Sequence, residues 1–249
     1  MVVILGPEGH GLIFWTDNLS DRKAGVDQFA KEYEQMHRLV REPDGETTLY
    51  VGAENWPFPI PLVERDGSWC FDSALGHKEI LYRLIGENEM KAIHVLRALV
   101  DAEREYRDQS NAAGGTPQFA LHLNSDQGEH DGLYWASSGS GEASPIGPYL
   151  AQASYDRSDR QPLGGYYFRT LTAQGRNAPG GARNYLVDGK MTGGFAFVAF
   201  PAEYPSSGVK TFIVNQDGVI YEKDLGPSTA KIAPAMTTYN PDSSWEAAP

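Results

Sequence analysis

The chain has 249 residues and carries 33 acidic side chains against 21 Lys and Arg, a formal net charge of −12; that length suits one large or two small domains able to bury a core unaided. Hydrophobic residues at 41% and charged residues at 22% give globular composition, which excludes disordered and fibrous classes. The acidic balance, with no Lys/Arg run, excludes nucleic acid as a partner, and the single cysteine, Cys70, excludes an internal disulfide and a Cys-based zinc site.

No apolar run approaches the ~18 residues of a membrane span, and Met1 to Leu5 lacks the charged leader and length of a signal peptide. Met1-Val-Val-Ile-Leu5 before Gly6-Pro7 reads as the end of a helix with its stop signal, so the first element is expected to be truncated, with a natural precursor beginning upstream. Gly6-Pro-Glu-Gly9-His-Gly11 has its glycines at the wrong intervals for a phosphate loop and reads as a stop and turn.

Val26, Phe29, Ala30, Tyr33, Met36 and Val40 recur at helical spacing, which predicts one amphipathic helix over 26–40, broken by Pro43-Asp44-Gly45. Thr47 to Gly52 is β-branched and aromatic and reads as a strand. The three prolines of Trp56-Pro57-Phe58-Pro59-Ile60-Pro61-Leu62-Val63 remove ladder donors and confine that stretch to a sheet edge or a polyproline-like path. Asp66-Gly67 is a two-residue hairpin turn into Ser68-Trp69-Cys70-Phe71, where Cys70 reads as a buried strand residue.

Asp72 or Ser73 is placed to cap a short helix that Gly86 ends, with Asn88 capping the next. That second helix, over about 89–108, has apolar or small residues at 92, 95, 99, 102 and 106, with Ile93, Leu96 and Val100 alongside. The wide stripe suits a helix lying across a sheet, with Arg97, Asp101, Glu103, Arg104, Glu105 and Arg107 forming its solvated side. Residues 111–147 are rich in Gly, Ser, Asn and Pro and read as a long, partly ordered connection of the kind that carries function. Strand signals follow at 166–172, 184–187, 194–200, 209–214 and 219–222, with hairpin turns at Asp188-Gly189 and Asp217-Gly218. The 194–200 strand is apolar on both faces and is expected inside a sheet. Beyond Gly226, Pro, Ala, Ser and Thr predict a surface tail.

These residues resemble the bacterial family known as Domain of Unknown Function 2950. The resemblance rests on Trp56 to Val63, Trp69 with Phe71-Asp72, Glu79-Ile80, Asn88-Glu89, Asp131-Gly-Leu-Tyr-Trp135, Gly165-Tyr-Tyr-Phe-Arg169, Gly193-Gly-Phe195 through Tyr204, and Phe212 to Gly218. It implies no established activity; it does imply export, since members usually carry export signals, and hence a periplasmic or secreted protein. A second resemblance joins the helix ending Ala102-Glu-Arg-Glu-Tyr106, Gly165-Tyr-Tyr-Phe168, Phe200-Pro201-Ala202-Glu203, Gly208 and Phe212 to Gly218 to the soluble part of type II secretion pseudopilins. It implies a spine helix on an antiparallel sheet, although the apolar membrane half with its early glutamate is missing here. The first ~70 residues resemble part of a cystatin-like or nuclear-transport-factor-2-like (NTF2-like) fold. The expected fold is therefore α+β: 1–72 an N-terminal α+β part, 73–226 a pseudopilin-like helix and sheet, and 227–249 a tail.

The sequence lacks His-Glu-x-x-His, a Walker loop, a Gly-x-Ser-x-Gly elbow and a dinucleotide fingerprint. Its densest polar stretch is His122-Leu-Asn124-Ser-Asp126-Gln-Gly128-Glu129-His130-Asp131. Calcium binding competes there with a solvated loop, because the glycine and distal carboxylate of an EF-hand are out of place. A hydrolase would draw on Ser137, Ser138 or Ser140 with His130 and Asp131, but neighbours on one loop rarely hold the ~3 Å geometry required. Seven rings, Trp56, Phe58, Trp69, Tyr134, Trp135, Tyr166 and Tyr167, offer either a stacking platform for a sugar or peptide or core packing. The sequence thus points to a non-catalytic envelope protein without cofactor or metal that binds envelope proteins. Trp56, Phe58, Glu129, His130, Asp131, Tyr134 and Trp135 are its candidate binding residues. The alternative is a hydrolase or calcium-binding protein using 122–140.

Overall fold

The helical spacing from Val26 to Val40 is followed by the backbone only as far as Gln35. A computed structural model describes residues 19–43, 45–112, 114, 116–136 and 143–249; the stop-and-turn glycines and the truncated first element lie outside them. Helix α1 spans Leu19–Gln35 and strand β1 His37–Arg41. Residues 37–41 leave the helix because they pair antiparallel with β2 (Thr47–Val51), His37 opposite Val51 and Arg41 opposite Thr47. A ladder of hydrogen bonds outweighs a local helical preference of tenths of a kcal/mol per residue, roughly. The exit is marked by the His37 ring, stacked on Tyr33 at 3.8 Å between centroids.

Strands β3 (Trp56–Pro57), β4 (Leu62–Arg65) and β5 (Ser68–Phe71) complete this sheet, in the order β1-β2-β4-β5 with β3 beside β2. Asp66 and Gly67, at φ 53° and 72°, make the tight β4–β5 turn. Cys70 on β5 is half-buried, not buried. Asp72 Oδ1 accepts from the Ala74 and Leu75 amides at 3.1 Å each, the cap that starts the next helix.

That helix, α2, runs unbroken over Ser73–Ala112, so Gly86 does not end it and Asn88 does not cap a second one. Two i,i+4 ion pairs, Glu79–Arg83 and Glu87–Lys91, both 2.7 Å, support the turns around Gly86. The Asn88 amide donates to the Ser207 carbonyl at 3.0 Å instead of capping. The chain divides into two compact units, Met1–Arg83 and Leu84–Pro249, so the division falls inside α2 and not at its start, where it was expected. The physical reason is that the first turns of α2 pack on the proline segment, Gly76 against Ile60 and Arg83 Nη1 on the Pro57 carbonyl at 2.8 Å.

In the C-terminal unit the elements are β6 (His122–Asn124), β7 (Gly132–Tyr134), α3 (Pro148–Ala151), β8 (Tyr166–Leu171), β9 (Ala173–Gln174), β10 (Arg183–Asn184), β11 (Leu186–Val187), β12 (Lys190–Met191), β13 (Ala196–Pro201), β14 (Lys210–Asn215), β15 (Tyr221–Asp224), α4 (Thr229–Ile232), β16 (Thr238–Tyr239) and β17 (Glu246–Ala247). The main sheet has the order β17-β15-β14-β13-β8 and is antiparallel throughout. All six residues of β13 are buried, as a strand covered on both faces requires. The α2 stripe, Ala92, Ile93, Leu96, Leu99, Val100 and Tyr106, shares one core with Phe168, Phe197 and Phe212 of the sheet. The fold is mixed α+β, with one long helix and antiparallel sheets.

Two expectations change here. The 111–147 connection adds Ala120, Leu123, Leu133, Trp135 and Ile146 to the core. The segment after Gly226 is not a surface tail: Thr229, Ala233 and Tyr239 are fully buried, β16 pairs with β9 and β17 with β15. Composition predicts exposure only on average, whereas two short ladders and one tyrosine are enough to fix this segment.

The two glycines inside α2 should respond oppositely to alanine. A Cβ at Gly86 meets nothing within 4 Å, whereas one at Gly76 would sit 2.8 Å from Ile60 Cγ1. Gly86→Ala should raise stability by about 1 kcal/mol and Gly76→Ala lower it by about 1–3 kcal/mol, read from the urea midpoints of the two variants.

Candidate functional site

The proline segment has few ladder bonds to hold it, so its side chains and one edge contact do so. The Phe58 amide donates to the Leu49 carbonyl at 2.8 Å, and the Phe58 ring packs between Phe29 (5.4 Å) and Phe71 (5.6 Å). Phe58 is thus half-buried among the rings of the N-terminal unit. Trp56 meets it edge-on at 6.0 Å but remains 44% exposed, with the Arg83 guanidinium 5.7 Å from its centroid. Trp56, the exposed head of this ridge, lines one open cleft, while Pro57, Phe58, Pro59 and Pro61, half-buried or buried, line another. One, of about 520 Å³, is bordered by Phe29, Glu32, Glu54 and Trp56; the other, of about 400 Å³, by Tyr50, Phe58, Pro61 and Tyr82. In the second, Tyr50 donates to Glu42 Oε1 at 3.0 Å, and that bond to a carboxylate raises the phenol above its ordinary pKa.

The remaining candidates belong to the C-terminal unit, where α2 grips the 118–135 excursion through three polar side chains at i, i+3 and i+7. Glu103 Oε2 accepts from the Ala120 amide at 2.8 Å, Tyr106 donates to the His130 carbonyl at 2.6 Å, and Ser110 Oγ accepts from the Gln118 amide at 3.2 Å. Trp135 lies under this clasp, 8% exposed, with Tyr106 against its edge at 6.5 Å and the His130 ring stacked on it at 4.4 Å. It is a core residue and not a surface platform. Glu129 and His130 are exposed, Asp131 and Tyr134 half-buried. Asp131 Oδ1 accepts from the Asp126 amide at 3.0 Å, closing the loop on itself. Among the described residues no three His, Cys, Asp or Glu side chains are grouped to hold a metal ion; Ser137, Ser138 and Ser140 lie outside those residues.

Sequence reasoning put Glu103 on the solvated side of the helix; it is fully buried, and its Oε1 has no hydrogen-bond partner. The signal was present, since 103 lies four residues after Leu99 and three before Tyr106, on the core stripe. Burial drives this carboxyl well above the usual range, opposed in part by the Ala120 amide. The folded protein therefore holds the proton more tightly than the unfolded chain. Its stability falls as pH rises above the unfolded carboxyl value of about 4.3.

A family model described as a protein of unknown function (DUF2950) matches residues 1–248. The chain belongs to this family. Neither a curated protein nor a solved structure matches it. No helix among the described residues is long and apolar enough to cross a membrane. The stretches on which the family resemblance rests include anchors as well as the Trp56 ridge. Glu89 Oε1 accepts from the Val209 and Lys210 amides, both at 2.9 Å, and Tyr166 donates to the Lys210 carbonyl at 2.8 Å.

Glu103→Gln should match the wild type near pH 4 and exceed it in melting temperature at pH 8, because the amide keeps an acceptor for Ala120 and never ionises. Trp135→Ala should cost about 3–5 kcal/mol of stability. Trp56→Ala, on an exposed ridge, should stay within about 1 kcal/mol of the wild type; urea denaturation of both distinguishes core from surface.

Proposed function

We propose that this protein is a non-catalytic binding module of the bacterial cell envelope that docks a partner on the Trp56 to Pro61 ridge. The observation that carries the reading is an exposed tryptophan at the head of a proline-rich segment whose residues line two open clefts. Such a segment loses little conformational entropy on binding, and tryptophan is enriched among residues that dominate binding energy. The unit's apolar surface supports the same reading. Among its described residues Leu49, Val51, Ile60 and Pro61 are the buried apolar side chains, while Val26, Leu39, Trp56, Trp69 and Tyr82 are exposed. Two of these, Trp56 and Tyr82, border the clefts beside the proline segment. The envelope location rests on the export signals usual among family members. The pseudopilin-like and cystatin-like resemblances rest on the quoted residues alone and add nothing to it.

Affinity capture from envelope extract, with the wild type beside Trp56→Ala, tests the binding part: a partner held by the wild type and lost by a folded variant is expected, and the absence of any specific partner overturns it. Fractionation of the source cells tests the location, and a cytoplasmic pool of the full-length protein overturns that part.

A further inference from the structure

Taking the Trp56 ridge as a binding surface, we propose that the cleft between α1 and the β2–β3 turn receives a lysine or arginine side chain from an extended segment of a partner protein. Its volume of about 520 Å³ falls in the range of ligand pockets. Its walls combine two aromatic residues, Phe29 and Trp56, with two carboxylates, Glu32 and Glu54, and the amide of Gln28. No lysine or arginine lines it among the described residues, and neither carboxylate belongs to an ion pair. Glu32 is held in place: Gln28 Nε2 donates to its Oε1 at 2.5 Å. Its Cβ, Cγ and Oε2 lie 3.6, 3.7 and 3.7 Å from where a Cβ on Gly52 would stand, so the side chain rests over that glycine.

Two carboxylates lining one concavity lend it a negative potential that attracts a cation. Tryptophan is the ring with the strongest cation–π attraction. Trp56 already carries one guanidinium, that of Arg83, which lines the other cleft. The net charge of −12 draws a basic segment from a distance and speeds its encounter. A sugar would use the same rings and the Gln28 amide but would leave two carboxylates without a counter-charge, so the observations favour the cation.

The full-length chain is titrated against a fluorescein-labelled Gly-Arg repeat peptide at physiological salt and binding is read by anisotropy. Saturable binding is expected, weakened roughly tenfold by the Glu32→Gln, Glu54→Gln double variant and by Trp56→Ala, each with a circular dichroism spectrum like the wild type. The Asp101→Asn, Glu105→Gln pair, which removes two exposed carboxylates of α2 outside the cleft, should leave it unchanged. Absence of saturable binding, or equal loss in the α2 pair, overturns the proposal; the second outcome reduces the attraction to bulk charge. Binding of a chitin-type oligosaccharide that Trp56→Ala abolishes and the Glu32, Glu54 pair spares also overturns it, in favour of sugar stacking. If an envelope partner is captured equally well by the Glu32, Glu54 pair and lost by Trp56→Ala, the binding-module reading stands and the cation site fails.

Discussion

Burial of the α2 stripe against the sheet through β13 is the interaction on which the C-terminal unit depends. Residues 92–106 of the helix and the inner side chains of β8, β13 and β14 belong to one core, and burying each such side chain stabilises the fold by about 1.5–3 kcal/mol. The helix surface next to that stripe is then committed. Anything packed beside it must satisfy its own backbone groups there, which the Glu103, Tyr106 and Ser110 side chains do for the 118–135 excursion. A buried carboxyl is a costly way to hold one amide, and one of its oxygens has no hydrogen-bond partner.

The N-terminal unit is built on a different balance. Its sheet is short, its proline segment forms few ladder bonds, and its packing runs through half-buried rings, Phe29, Phe58 and Phe71. Apolar side chains that a larger core would absorb stay at the surface, because a small unit buries a smaller fraction of its area. Trp56, Trp69 and Tyr82 are among the side chains so exposed. In the polar loop that looks denser in the sequence, Asp131 and Ser125 bond within the loop, Asn124 bonds outside it, and Glu129 and His130 stay exposed.

Much of the fold is legible in the residues. The Asp66-Gly67 and Asp188-Gly189 turns form with the positive φ those pairs favour, Asp72 caps α2, and the apolar run of 194–200 becomes a strand buried on both faces. Of the candidate site, the sequence leaves Trp56 and Trp135 alike open between an exposed platform and core packing; the structure leaves Trp56 44% exposed and buries Trp135 to 8%. Both belong to irregular stretches, where no periodicity tells which face of the chain turns inward.

The sequence by itself determined what is set within a turn or two of the chain: turn type, helix capping, strand alternation and the apolar stripe of α2, since these follow from backbone sterics and periodicity. Tertiary structure alone decided that 37–41 pairs as a strand, that α2 runs on through Gly86, and that the segment after Gly226 is built into the sheets. In each case a partner far away in the chain supplies hydrogen bonds or burial of a kcal/mol or more, roughly, against local preferences of tenths to about one. A single sequence does not reveal where such a partner will be.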